Sequence, residues 1–223
     1  MRNYDYWVLG IYIFSYAGYE ILYLVLSGSG KWMTRERIIS QYRAQWYRNI
    51  VRAKNQLLAI QTIRNLEMVS TFLSSVTLLM MGGVVSIFTA NADWMAMLQS
   101  GSYGELLDRH GAAVKLLVAF LMLTISFSNF IFSLRVCFNM NFTLSVPMDP
   151  DANLSLQIEQ IQRQARNFKA GLRGVYYVIP LMAWIIDTSA MLVLTLVTTF
   201  LIFRDDFFKG TAPQDYSLPG RSD

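Results

Sequence analysis

The sequence predicts an all-α, polytopic membrane protein with four transmembrane helices and basic amphipathic interfacial helices on the cytoplasmic side. Composition is the first reason: of 223 residues, 54% are hydrophobic and only 15% are charged, with a mean hydropathy of +0.34. The second reason is four apolar stretches, at about 7–26, 68–90, 116–134 and 175–203. About 20 residues cross a hydrocarbon core, so each stretch is long enough. We expect one membrane domain over residues 1–208 and a flexible polar tail over 209–223.

The first span follows a short tail that carries only Arg2 and Asp5 as charged residues. A signal peptide would have a positive leading region, a shorter apolar stretch and a small-residue cleavage site. Here Glu20 interrupts the apolar run and no such site follows. We therefore interpret this segment as a retained membrane anchor.

A basic amphipathic helix is predicted between the first two spans, from Arg35 to Lys54. Apolar or aromatic residues recur there every fourth position, while arginines occupy the opposite arc. This pattern is typical of a helix in the headgroup plane, and the alternative is a solvated helix that packs on its own bundle. The candidate contacts to anionic phospholipid headgroups are Arg43, Trp46, Arg48 and Arg52.

The second and third spans carry small or polar residues suited to helix contacts. The second contains Gly82 and Gly83, which let a neighbouring helix approach closely in lipid. The third places Ser126, Asn129 and Ser133 on one face, where we expect hydrogen bonds to a neighbouring helix.

The fourth span is preceded by a helical run from about Ala152 to Leu172 and ends at Arg204. Two acids, Glu20 in the first span and Asp187 in the fourth, are the candidate intramembrane sites. Arg64, just before the second span, is the expected partner of Glu20. Asp187 is expected near the midplane, either as part of a proton or cation relay or as a hydrogen-bonded acid paired with Asn129, a tyrosine or a partner subunit.

Lysine and arginine counts predict the orientation. The two long connections, between spans one and two and between spans three and four, carry thirteen of these residues, against six elsewhere. By the positive-inside rule both connections are cytoplasmic and both termini lie outside.

The sequence contains no signature of a catalytic site or a metal site. A single Cys137 excludes an internal disulfide, and with a single His110 it excludes a zinc site built from histidine and cysteine alone. No nucleophile motif, phosphate-binding glycine loop or HExxH motif appears. We expect no enzyme activity, no cofactor and no metal. The net charge is +4, and the basic residues lie beside apolar spans, which favours anionic lipid over nucleic acid as the partner.

Three ordered motifs resemble one family: LAIQTIRN followed by STF, LRVCFNMNFTLSVP, and ARNFKAGLRGVYYVIPLMAW. They begin at Leu58, Leu134 and Ala165. They are similar to the integral-membrane family catalogued as domain of unknown function 599, and the likeness extends over about residues 5–205. It implies a four-helix membrane protein without an assigned activity or binding residue. The GLRGVYY form resembles bacterial members, which implies an inner membrane.

These observations lead to a non-catalytic membrane protein, an accessory or scaffold subunit of a larger inner-membrane complex that contacts other membrane subunits or itself. The alternative is a small oligomeric proton- or cation-coupled transporter or channel that uses Asp187 and Glu20. An enzyme acting on lipid at the interface has the least support. Glu36, Glu67 and Glu159 are the acids found near the basic face.

Overall fold

The computed structural model describes residues 3–28, 35–53, 56–90, 111–145 and 150–207, and in these ranges every regular element is a helix. In chain order the helices are α1 (Asn3–Gly28), α2 (Arg35–Arg52), α3 (Gln56–Thr89), α4 (Gly111–Ser145), α5 (Pro150–Ile186) and α6 (Thr188–Phe207). The all-α prediction is confirmed for the described part of the chain. The predicted tail at 209–223 and His110 lie outside the described residues.

The centre of the molecule is an antiparallel row of α3, α4 and α5. The Ser133 hydroxyl of α4 lies 3.4 Å from the Ser70 hydroxyl of α3 and accepts a hydrogen bond from Gln164 Nε2 of α5 at 3.1 Å. Near the opposite end of α4, Lys115 Nζ donates to the Trp184 carbonyl of α5 at 2.6 Å. These hydrogen bonds satisfy polar groups that would otherwise be buried without a hydrogen-bond partner.

Two glycines bring α4 and α5 close together. A Cβ on Gly171 would lie 2.7 Å from the Phe130 ring, and a Cβ on Gly174 would overlap the Ser126 hydroxyl. Of the polar residues on this face of α4, Ser133 makes the predicted hydrogen bonds to neighbouring helices, whereas Ser126 donates to the Met122 carbonyl of its own helix and packs against Gly174. A glycine at each contact is what permits the short interhelical distance.

The stretch predicted as the fourth span is not one continuous helix. The helix stops at Ile186, and α6 starts at Thr188 and runs back along α5. Lys169 Nζ lies 3.6 Å from Asp206 Oδ1, and the Tyr177 and Thr199 hydroxyls lie 2.9 Å apart. In a straight helix at 1.5 Å per residue, Lys169 and Asp206 would be about 55 Å apart, so the two helices form an antiparallel hairpin.

Asp187 is the hinge of this hairpin and lies between two helices, whereas the sequence interpretation put it inside one. Its side chain is exposed, and Oδ2 accepts a hydrogen bond from the Ala190 amide at 3.1 Å. Aspartate is a favoured N-cap because its carboxylate satisfies one of the free amides of the first turn. The acid therefore starts α6 instead of interrupting a longer helix.

The first helix lies against the hairpin, parallel to α6. Thr188 donates to Asp5 near one end, and Tyr19 donates to Asp206 near the other. The start of α1 and the end of α6 therefore lie at opposite ends of the bundle. The expectation that both termini share one side depended on a single fourth span, and the hairpin removes that basis.

The second helix packs on the bundle. Tyr47 and Ile50 are buried in a small core with Ala59 and Ile63 of α3 and Cys137 of α4. The Tyr47 hydroxyl donates to Gln157 Oε1 of α5 at 2.6 Å, and burial raises the pKa of Tyr47 to about 12. Packing on the chain's own helices, the alternative considered for this segment, accounts for the inner face of α2.

Among the described residues, three helical segments are long and apolar enough to cross a membrane: Leu57–Thr89, Ala113–Thr143 and Thr188–Asp206. The outer surface agrees with this, because Trp7, Phe14 and Leu79 are 75%, 79% and 77% exposed. A water-soluble monomer rarely exposes so much contiguous apolar surface. These helices indicate a membrane protein.

Candidate functional site

A cluster of four charged side chains lies where α1, α5 and α6 meet. Arg173 donates twice to Glu20, from Nε to Oε1 at 2.8 Å and from Nη2 to Oε2 at 3.0 Å. Its third nitrogen, Nη1, lies 3.8 Å from Asp206 Oδ2, and Lys169 approaches the same carboxylate. A bidentate arginine–carboxylate pair is the strongest form of such an interaction. The cluster as a whole joins three helices.

Tyrosine rings enclose the guanidinium of Arg173. The guanidinium lies 4.3 Å from the Tyr23 ring centroid and 5.9 Å from that of Tyr19. Tyr19 also donates its hydroxyl to Asp206 Oδ2 at 2.5 Å. Aromatic faces attract a cation and exclude water, so the charges are held in a medium that strengthens their attraction.

Hydroxyl groups extend this polar strip along the hairpin. Tyr12 donates to the Tyr177 carbonyl at 3.0 Å, and the Tyr177 hydroxyl contacts that of Thr199. Thr199 in turn donates to the Thr195 carbonyl at 2.7 Å. These bonds fasten α1 to α5 and α5 to α6 through the apolar part of the bundle.

Helical spacing explains why these side chains converge. Lys169, Arg173 and Tyr177 are four residues apart and share one face of α5. On α1, Tyr12, Tyr16, Tyr19, Glu20 and Tyr23 occupy a facing stripe. The hairpin then places Asp206, near the end of α6, beside both.

Glu20 pairs with Arg173 and not with Arg64, the partner expected from the sequence. Arg173 occupies the position expected for Arg64, which lies exposed on α3. The count of spans placed Arg173 in a loop, two residues before the fourth apolar stretch. The signal that could have identified it is its place at helical spacing between Lys169 and Tyr177.

Asn129 and Asp187 do not form a pair. Asn129 Nδ2 donates to the Ile125 carbonyl of its own helix at 2.9 Å, so its predicted bond to a neighbouring helix is wrong. Asp187 caps α6 at the far end of the hairpin from Glu20. The two acids are therefore at different ends of the bundle, separated by the length of the tyrosine strip.

The proposed headgroup contacts on α2 differ in exposure. Arg48 is exposed, whereas Arg43 is partly buried and Trp46 packs against Tyr47, with ring centroids 6.4 Å apart. The side chain of Arg52 lies outside the described residues. Lipid contact at this face stays a prediction.

Asp206 and Lys169 were not predicted as site residues. Asp206 follows the last apolar residues of the predicted span, where an acid normally marks an exposed end. Burial of Asp206 results from the hairpin, which the sequence interpretation lacked. Within the described ranges, no group of three or more histidine, cysteine or acidic residues is placed to hold a metal ion.

The comparisons with known proteins agree with the motif resemblance. No curated protein and no solved structure matches the chain. One family model, described as "Protein of unknown function, DUF599", matches residues 7–211. Since the match covers nearly all of the 223 residues, the chain belongs to the DUF599 family.

Proposed function

We propose that this protein is a non-catalytic integral-membrane protein that serves as an accessory or scaffold subunit of a larger inner-membrane complex. One observation carries the proposal. Gly82 and Gly83 lie exposed on α3, and a Cβ added to either would meet nothing within 4 Å. Glycine weakens a helix, and the described helices of this chain make no use of the space it leaves.

Close approach of a further helix accounts for that space. In lipid, helices associate mainly by packing at small residues, since apolar surface alone gives no driving force there. Thr71, Ser75 and Ser86 continue the exposed small-residue surface along α3. The partner would be a transmembrane helix of another subunit or of a second copy.

The membrane arrangement that best fits this role has five crossings instead of four. Thr188–Asp206 is long and apolar enough to cross, and it contacts α1 at Asp5 and Tyr19 and the second half of α5 at Lys169 and Tyr177. If α6 crosses, these two segments cross with it. The second half of α5 from Phe168 to Ile186 is about 28 Å long at 1.5 Å per residue, which is close to the thickness of the core.

The transporter alternative has weaker support. Asp187 is engaged as a helix cap and Glu20 is paired with Arg173, at opposite ends of the hairpin. Proton or cation flux into liposomes that falls in Asp187→Asn would favour it over the subunit role.

Co-purification in mild detergent tests the proposal. The double variant Gly82→Leu, Gly83→Leu should lose a stoichiometric partner or its own dimer, because the added side chains block close approach without a clash inside the monomer. Gly10→Leu is the matched control, since Gly10 also has nothing within 4 Å of an added Cβ. A wild-type protein that purifies as a monomer with no companion contradicts the proposal.

A further inference from the structure

A groove of about 470 Å³ opens between α5 and α6, on the hairpin beside the charge cluster. One end is lined by three cations, Lys169, Arg173 and Arg204, together with Asp205 and Asp206. The wall leading away from this end is largely apolar and includes Tyr176, Ile179 and Leu201. The groove therefore has the two-part character of an amphiphile site.

Arg173 retains a free donor at this groove. Its side chain is 6% exposed, and its Nη1 makes no hydrogen bond within the described part of the chain. The nearest carboxylate oxygen, on Asp206, is 3.8 Å away and already accepts from Tyr19. A buried cationic donor without an acceptor is unfavourable, and an oxygen of a bound anion would satisfy it.

The rim indicates where such an anion would come from. Tyr176, Ile179 and Leu201 are 46%, 54% and 46% exposed, so the groove opens sideways onto the apolar exterior of the bundle. A lipid would reach it by diffusing within the bilayer, with its acyl chain against the apolar wall. Arg204 follows the last apolar turn of α6, at the depth where headgroups lie.

We propose that this groove binds a phospholipid, with the phosphate at Arg173, Lys169 and Arg204 and an acyl chain along Ile179 and Leu201. This site is separate from the headgroup contacts predicted on α2, and it depends on the membrane location but not on the subunit role. The residues that line the groove include three cations and two acids, Asp205 and Asp206, and Glu20 pairs with Arg173 from outside the groove.

Native mass spectrometry of the detergent-solubilised, delipidated full chain tests the proposal with dioleoyl phosphatidic acid as the probe. The wild type should retain one molecule, and Thr198→Trp, which fills the groove, and Arg204→Gln, which removes a cation, should each weaken binding about tenfold. Leu121→Trp and Arg64→Gln are the matched controls, since both positions are exposed on other helices. They should bind as the wild type does.

Two further arms identify the source of the phosphate. Dioleoylglycerol, which has the acyl chains without the phosphate, and inorganic phosphate, which has no chain, should both fail to displace the probe. Displacement by inorganic phosphate, or unchanged binding in both groove variants, would overturn the proposal.

Discussion

Arg173 has both carboxylates of the cluster within reach, and its burial makes it the side chain on which the α1, α5 and α6 contact depends. A charge this deep in an apolar bundle needs a partner, and that requirement is visible in the sequence for Glu20. The identity of that partner is not visible in the sequence, because it depends on how three helices are arranged. Arg64 and Arg173 are equally basic, and only the fold decides between them.

Removing Arg173 should destabilise the bundle. Arg173→Gln leaves Glu20 without its cation and Asp206 with Lys169 alone, and breaking such a pair from one side should cost about 3 kcal/mol. The measurement is reversible unfolding in mixed detergent micelles. Arg64→Gln is the control and should stay within about 0.5 kcal/mol of the wild type.

A double variant tests whether Glu20 and Arg173 stabilise the protein by interacting with each other. Glu20→Gln combined with Arg173→Gln should be less destabilised than the sum of the two single changes, because the pair is removed together. Strict additivity would mean that Glu20 and Arg173 do not interact.

At the level of helices, the sequence located α3 and α4 well, because long uncharged runs have one physical explanation in a membrane protein. The sequence interpretation did not separate α5 from α6 within the predicted fourth span. A stretch of residues 175–203 is longer than one crossing needs, and Asp187 followed by Thr188 is a helix-start signal. Excess length and an internal cap together indicate a hairpin, although neither does so alone.

The α4–α5 contact provides a prediction for packing. Gly174→Ala places a methyl group against the Ser126 hydroxyl, and overpacking of this kind should cost about 1–3 kcal/mol in unfolding free energy. Ser126→Gly in the same chain should recover most of that loss, since it removes the side chain that the added methyl group contacts. Gly82→Ala, where the added methyl meets nothing, should be neutral or slightly stabilising.

For the whole molecule, the five-crossing arrangement changes which groups share a side of the membrane. With one more crossing, the C-terminal tail joins the two long basic connections. Its three lysine and arginine residues move with it, so the bias becomes sixteen against three instead of thirteen against six. The positive-inside rule is obeyed more strongly by this topology than by four crossings, which argues against a single crossing by residues 175–203.

Reporter fusions distinguish the two topologies. An enzyme active only outside the cytoplasm, fused after Asp223, should be silent if α5 and α6 both cross, and the same reporter inserted after Gly30 should also be silent. Fused before Met1, with its own export signal excluded, it should be active, because α1 runs parallel to α6 and begins at the opposite end of the bundle. Activity at the C-terminal fusion together with silence after Gly30 would mean that residues 175–203 cross once, which is incompatible with the antiparallel contacts of α5 and α6.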